Sequence, residues 1–163
     1  MTPIELLGSL ILFEALSPAE LQALVAALIV HSTEPGETIF EQGDVATSIF
    51  VMEAGVMEIS RHNPSGAETL GRLGPGEYMG ELGLITNSPR AFTLNSLTHA
   101  RVLELPGASL LDLLQSNGAL NAAMERSVRR GLAMLDRDDG ARGALPSEQT
   151  EDLFGHIRAF FHV

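Results

Sequence analysis

The sequence predicts an α+β fold: a β-barrel or jelly roll, of the double-stranded β-helix type, flanked by N-terminal and C-terminal helices. Three observations predict it. Helical periodicity holds over residues 3–28 and returns after Pro106. Between those stretches the chain breaks into short runs rich in Val, Ile, Phe and Leu. Glycines at 36, 43, 55, 66 and 76 punctuate the runs at near-regular spacing, where turns call for a permissive backbone. Helices, then strands, then helices is the order of an α+β domain built on one β core.

The elements follow in chain order. Residues 3–12 form a short apolar stretch that reads as a helix. "LSPAELQALVAALIV" carries a start signal: Ser17 as cap, Pro18 at the first helical position, Glu20 completing a capping box. Leu21, Leu24, Val25 and Leu28 then share one face. From His31 the pattern is that of strands: "TIF" ending at "EQGD", "SIFVMEAG", "VMEISR", "ETLGRL", "GPGEY", and later "AFTLNSL" and "ARVLELP". After Pro106, "ASLLDLLQS" is helical and breaks at Asn117-Gly118. A last helix resumes from Ala119, with Leu120, Ala123, Met124, Ser127, Val128, Gly131, Leu132 and Leu135 on one stripe. "DRDDGARGALPSEQ" is polar and holds Gly and Pro, the composition of a flexible connector, and "TEDLFGHIRAFFHV" is a short amphipathic tail. The domain is therefore expected over 1–136, with connector and tail over 137–163.

Composition narrows the function classes. The 163 residues are 45% hydrophobic and 19% charged, enough for one packed core and unlike a disordered chain. A formal net charge of -11 argues against a reader of nucleic-acid phosphates, which needs a basic face. One small anion can still be held where the positive potential is local. The absence of cysteine excludes disulfide scaffolds and thiolate metal sites and points to a reducing, cytoplasmic setting. Histidines at 31, 62, 99, 156 and 162 lack metal-ligand spacing, so no metal is expected. No motif places Ser, His and Asp in a catalytic triad, and no enzyme activity is expected. The N-terminal "MTPIELLGSLILF" contains Glu5 and no basic leader, unlike a signal peptide. No apolar run reaches the roughly 18 residues of a membrane helix.

The strand pattern is interrupted once, at "GELGLITNSPRAFTL", residues 80–94. A short helix starting at Glu81 would present backbone N–H groups with no intrahelical partner. Gly80 would let a ligand approach that start closely, and Gly83, a weak helix former, would leave clearance. Pro89 fixes the approach to Arg90, which is expected to open the next strand and fold its guanidinium back over the helix start. Such a pairing suits a phosphate or carboxylate. Glu81 beside an anion makes sense if the ligand also carries a hydroxyl that the carboxylate accepts. A phosphate with an adjacent ribose hydroxyl satisfies both. The plainer alternatives are a strand-end salt bridge for Arg90 and a helix-start acid for Glu81.

These residues resemble the phosphate-binding cassette of cyclic nucleotide-binding domains: Gly-Glu, small and apolar helix residues, a variable turn, then Pro-Arg and small residues. "PGETIFEQGDVATSIFVMEAGVMEI" resembles the early strands of the same family, and the similarity runs from about Leu10 to Leu135. The resemblance implies that Glu81 accepts from the ribose 2′-OH and that Arg90 pairs with the cyclic phosphate. It also implies that Leu82, Gly83 and Ala91 donate backbone N–H groups to phosphate oxygens, and that Gly80 permits close approach. Ala91 sits where cGMP-preferring members often carry Thr, so cAMP is implied over cGMP. The last helix would be a lid over the base, with Arg129 and Arg130 as candidates to stack on the purine, or else solvated helix charges. Phe92 departs from the small residue of the family; on a strand it would point away from Ala91 and Thr93. The implied function is a regulatory sensor acting on an effector protein or a membrane channel domain, and a homo-oligomer is compatible with it. The alternative is a docking or dimerisation module of the same fold that binds no nucleotide.

Overall fold

The computed structural model describes residues 1–140 of the chain. Helix α1 spans Pro3–Ser9, a 3-10 turn spans Ile11–Phe13, and α2 spans Pro18–Ala27. The expected single helix over residues 3–12 is thus broken at Leu10, whose extended backbone turns the chain so that Leu10, Leu12 and Phe13 are all buried. Both helices start on a full capping box. Ser17 and Glu20 close α2, and Thr2 and Glu5 close α1, each with Pro at the first helical position. Such a cap contributes about 1 kcal/mol.

Eight strands follow: β1 Ile29–Thr33, β2 Thr38–Phe40, β3 Ser48–Ala54, β4 Met57–Asn63, β5 Gly66–Leu73, β6 Tyr78–Met79, β7 Thr93–Ser96 and β8 Ala100–Pro106. They form two four-stranded sheets, ordered β1-β8-β3-β6 and β2-β7-β4-β5, and every strand pair is antiparallel. That is the jelly-roll arrangement expected from the sequence. The five turn glycines all adopt positive φ. Between β6 and β7 lies α3, Glu81–Thr86. Helices α4 (Gly107–Ser116) and α5 (Gly118–Gly140) close the domain, separated by Asn117 in an extended conformation. Helix α5 therefore continues to Gly140, into the stretch whose composition reads as a connector. The rest of the connector and the aromatic tail lie outside the described residues. Among the described residues no helix is long and apolar enough to cross a membrane.

Strand alternation divides the apolar residues into two clusters. One face of β3 and β8 points outward: Ile49, Val51, Leu103 and Leu105 pack against Leu24 of α2, Leu110 and Leu114 of α4, and Leu120, Met124 and Val128 of α5. The other face points into the roll, where Phe50, Met52, Ala100 and Val102 meet Phe40, Met57, Leu73 and Leu94. Each fully buried side chain of this size contributes about 1.5–3 kcal/mol. The inner face also carries polar groups. Thr33 and Ser96 are buried against each other, with Oγ1 and Oγ 2.5 Å apart. Arg90 is buried as well, only 5% exposed.

Candidate functional site

Gly80 caps the start of α3 with φ 111, a conformation that L side chains rarely adopt. A Cβ there would lie 2.5 Å from Arg90 Nη1 and 3.0 Å from the Ser48 carbonyl oxygen. Both backbone conformation and space therefore require glycine. Gly83 is buried one turn on, and a Cβ there would lie 2.6 Å from the Ala46 Cβ. So the clearance inferred from the sequence is used by the protein's own β2–β3 loop. Asn87, at φ 52, ends the helix with its N–H donating to the Gly83 carbonyl.

Arg90 is fixed at both ends. Its backbone N–H donates to the Asp44 carbonyl at 2.8 Å, and its carbonyl accepts from the Gly43 N–H at 2.8 Å. Strand β7 starts only at Thr93, so Arg90 belongs to the loop before the strand and does not open it. The guanidinium points into the roll. Nη1 donates to the Gly80 carbonyl at 3.1 Å and Nη2 to the Ser48 carbonyl at 2.8 Å. Its Cζ lies 4.5 Å from the centre of the Phe40 ring and 5.4 Å from that of Phe50. Nε is buried with no hydrogen-bond partner. Burial lowers the Arg90 pKa, while the charges of Glu104, Asp44 and Glu81 favour the protonated form. This is a desolvated cation with one unsatisfied donor, an uncommon and costly state for a group that serves only to hold structure.

Glu81 is held differently. Its Oε1 accepts from the Ser127 hydroxyl of α5 at 3.0 Å, and Ser127 Oγ lies 2.8 Å from the Tyr78 hydroxyl. With the Ser127 proton directed at the carboxylate, Tyr78 donates to Ser127. Burial raises the Glu81 pKa above the ordinary glutamate value. Its own backbone N–H, Ser127, Arg130 and Arg90 pull the other way. Tyr78 is likewise raised, mainly by burial.

The structure thus brings Gly80, Glu81, Leu82 and Gly83 together at the start of α3, with the Arg90 guanidinium against Gly80. Leu82 packs on the outer cluster. Ala91 is exposed next to Arg90. Phe92 is half-buried ahead of β7, where strand alternation does not decide its direction. Arg129 and Arg130 are both exposed; Arg129 pairs with Glu125 one turn back, its Nη2 2.7 Å from Oε1. Arg130 lies close enough to Glu81 for its charge to favour the carboxylate.

Sequence reasoning missed Ser127, Tyr78, Ser48, Phe40 and Glu104. Ser127 had a signal, a hydroxyl in an otherwise apolar helical stripe. So did Glu104, a carboxylate in the apolar strand "ARVLELP". The roles of Ser48 and Phe40 depend on contacts with Arg90 more than forty residues away and had none.

Residues 30–117, more than half of the chain, match the family model described as cyclic nucleotide-binding domain. A cAMP-dependent protein kinase type II regulatory subunit of Drosophila melanogaster is 37% identical over 87 residues, which are 53% of this chain and 23% of that protein. A cyclic nucleotide-gated potassium channel of Mesorhizobium japonicum is 29% identical over 131 residues, 79% of this chain and 35% of the channel. The matched region is thus well under half of either relative's length. The N-terminal domain of a transcriptional regulator from Streptomyces coelicolor superposes with a TM-score of 0.65 at 29% identity, covering 82% of this chain and 94% of that one. The jelly roll, the inward arginine beneath a left-handed glycine and the family match agree: the chain belongs to the cyclic nucleotide-binding domain family.

Proposed function

We propose that the chain is a non-catalytic sensor of cyclic nucleotides, with cAMP preferred over cGMP. The observation that carries this reading is the buried Arg90 guanidinium, aimed into the roll beside Gly80 with Nε unpartnered. A cyclic phosphate would supply the counter-charge and the missing acceptor. The backbone N–H groups of Leu82, Gly83 and Ala91 would add donors, and Gly80 would admit the phosphate closely. Glu81 would take the ribose 2′-OH. For that it must exchange the Ser127 hydroxyl for the sugar hydroxyl, or share itself between them. Ligand binding therefore acts directly on α5, which supports α5 as the lid and output element. Alanine at position 91 offers no hydroxyl to guanine, which favours cAMP. The output is an effector protein or a membrane channel domain, and the setting is cytoplasmic. The domain is taken as residues 1–136, the last turn of α5 extending it to Gly140.

Calorimetric titration with cAMP and cGMP tests the reading. Heat from cAMP that exceeds that from cGMP and vanishes in Arg90→Ala is the expected result.

One observation favours the second reading, a docking or dimerisation module that binds no nucleotide. Both ends of the cassette already have internal partners: Arg90 donates to two carbonyls and Glu81 accepts from Ser127. Silence with both nucleotides at millimolar concentration, with the protein folded, would favour that module.

A further inference from the structure

Glu104 sits on β8, in register with Phe50 of β3 and Ile29 of β1. Its carboxylate joins two neighbours at once. Ser48 Oγ donates to Oε1 at 2.8 Å, and His31 Nε2 lies 2.6 Å from Oε2. Ser48 is the residue whose carbonyl accepts from Arg90 Nη2, and its Oγ lies 3.5 Å from the same nitrogen. A polar chain thus runs His31–Glu104–Ser48–Arg90 through the inner face of the roll. His31 and Glu104 at its outer end, together with Thr33 and Phe50, line a cavity of about 600 Å3 beside β1 and β2. The cassette residues do not line that cavity.

Glu104 is the only carboxylate this chain of contacts delivers to Arg90, and it does so without pairing directly with the guanidinium. It lies one residue away from Arg90, through Ser48. That separation matters. A carboxylate salt-bridged to Arg90 would block an incoming anion, whereas one held behind Ser48 leaves Nε unpartnered while still lowering the local positive potential. We propose that Glu104 is a positioning and affinity-setting residue: it anchors Ser48, and through it Arg90, while its negative charge weakens the hold of the cassette on a phosphate. This rests on the reading of Arg90 as the phosphate ligand. It goes further by assigning a brake to a residue outside the cassette. His31 shares the carboxylate, so the brake is within reach of the cavity beside β1 and β2.

Three variants separate charge from anchoring. Glu104→Gln keeps an acceptor for Ser48 and removes the charge. Glu104→Asp keeps the charge. Ser48→Ala removes the hydroxyl link and leaves the carbonyl. Each is titrated with cAMP by calorimetry, and with inorganic phosphate by the 15N-detected signal of Arg90 Nε–H; thermal unfolding verifies the fold. Glu104→Gln is expected to bind both probes about ten-fold tighter than the unsubstituted protein. Glu104→Asp is expected to stay within about two-fold of it. Ser48→Ala is expected to move the Arg90 Nε–H signal before any ligand is added. A Glu104→Gln affinity unchanged or weaker for both probes overturns the proposal, as does Glu104→Asp tightening as much as Glu104→Gln. If phosphate titrates Arg90 with the expected ratio while cAMP gives no heat, the nucleotide reading fails and the brake stands.

Discussion

The two charged ends of the cassette are built in opposite ways. Arg90 is clamped: two backbone hydrogen bonds to the β2–β3 loop, two side-chain bonds to carbonyls, and aromatic rings beside the guanidinium. Its partners are the β2–β3 loop, β3, the Phe40 and Phe50 rings, and Gly80 at the start of α3. Glu81 hangs on one hydroxyl from α5. The arginine end is therefore preformed, and on the proposed reading a phosphate that meets it would cost little reorganisation. The glutamate end is shared with another element, so occupying it must alter that element's hold. On the proposed reading, affinity and signal would be divided between the two ends.

This contrast can be broken or sharpened by measurement. Arg90→Ala should have the largest effect, lowering cAMP affinity about 100-fold or more by calorimetry, since a charge-assisted pair is lost. Arg90→Lys should recover only part of the loss, because an ammonium cannot fork onto two carbonyls. Gly80→Ala should come next. Positive φ and a Cβ 2.5 Å from Nη1 should cost about 2–3 kcal/mol in urea unfolding, and the arginine should be displaced with it.

The glutamate end should answer to pH. Because burial raises the Glu81 pKa, the folded chain holds this proton more tightly than the unfolded chain does. The stabilisation is complete below the ordinary glutamate value and is lost as pH rises through the folded value. Glu81→Gln should thus be the more stable protein at neutral pH, and its advantage should shrink as pH falls toward the ordinary carboxylate range. A constant difference across that range, read by chemical denaturation, would contradict the burial of Glu81. Ser127→Ala should have a smaller effect, at a stability cost of about 1 kcal/mol. Its cAMP affinity should rise several-fold, because the competitor for Glu81 is gone. Tyr78→Phe, one bond further from the carboxylate, should do less of both.

The architecture was legible wherever it depends on local chemistry. Turn glycines, the Ser17–Glu20 box and the break at Asn117-Gly118 each act over a few residues, and each stands where the sequence placed it. The Thr2–Glu5 box carries the same pattern as Ser17–Glu20 and was equally readable. The break at Leu10 was not: Gly8 stands two residues before it, but the apolar run continues past it, and burial of Leu12 and Phe13 against the helical cluster decides it. Within the cassette, residues 80–91 name the candidate members of the site but not how the fold holds them. The clamp on Arg90 depends on Gly43, Asp44 and Ser48, about forty residues distant, and no periodicity reports contacts of that kind. Ser127 and Glu104 were visible only as polar residues out of pattern, a signal that says where to look and not what is touched.

Helix α5 is one unbroken rod from Gly118 to Gly140. Ser127, the point where it meets Glu81, lies nearer its beginning than its end. The remaining thirteen residues to Gly140 span about 20 Å. On the proposed reading the helix would act as a lever with a short input arm. If Glu81 takes the sugar hydroxyl as proposed, a tilt of about ten degrees there would become a swing of about 3 Å at the far tip, a motion large enough for a neighbouring protein to read.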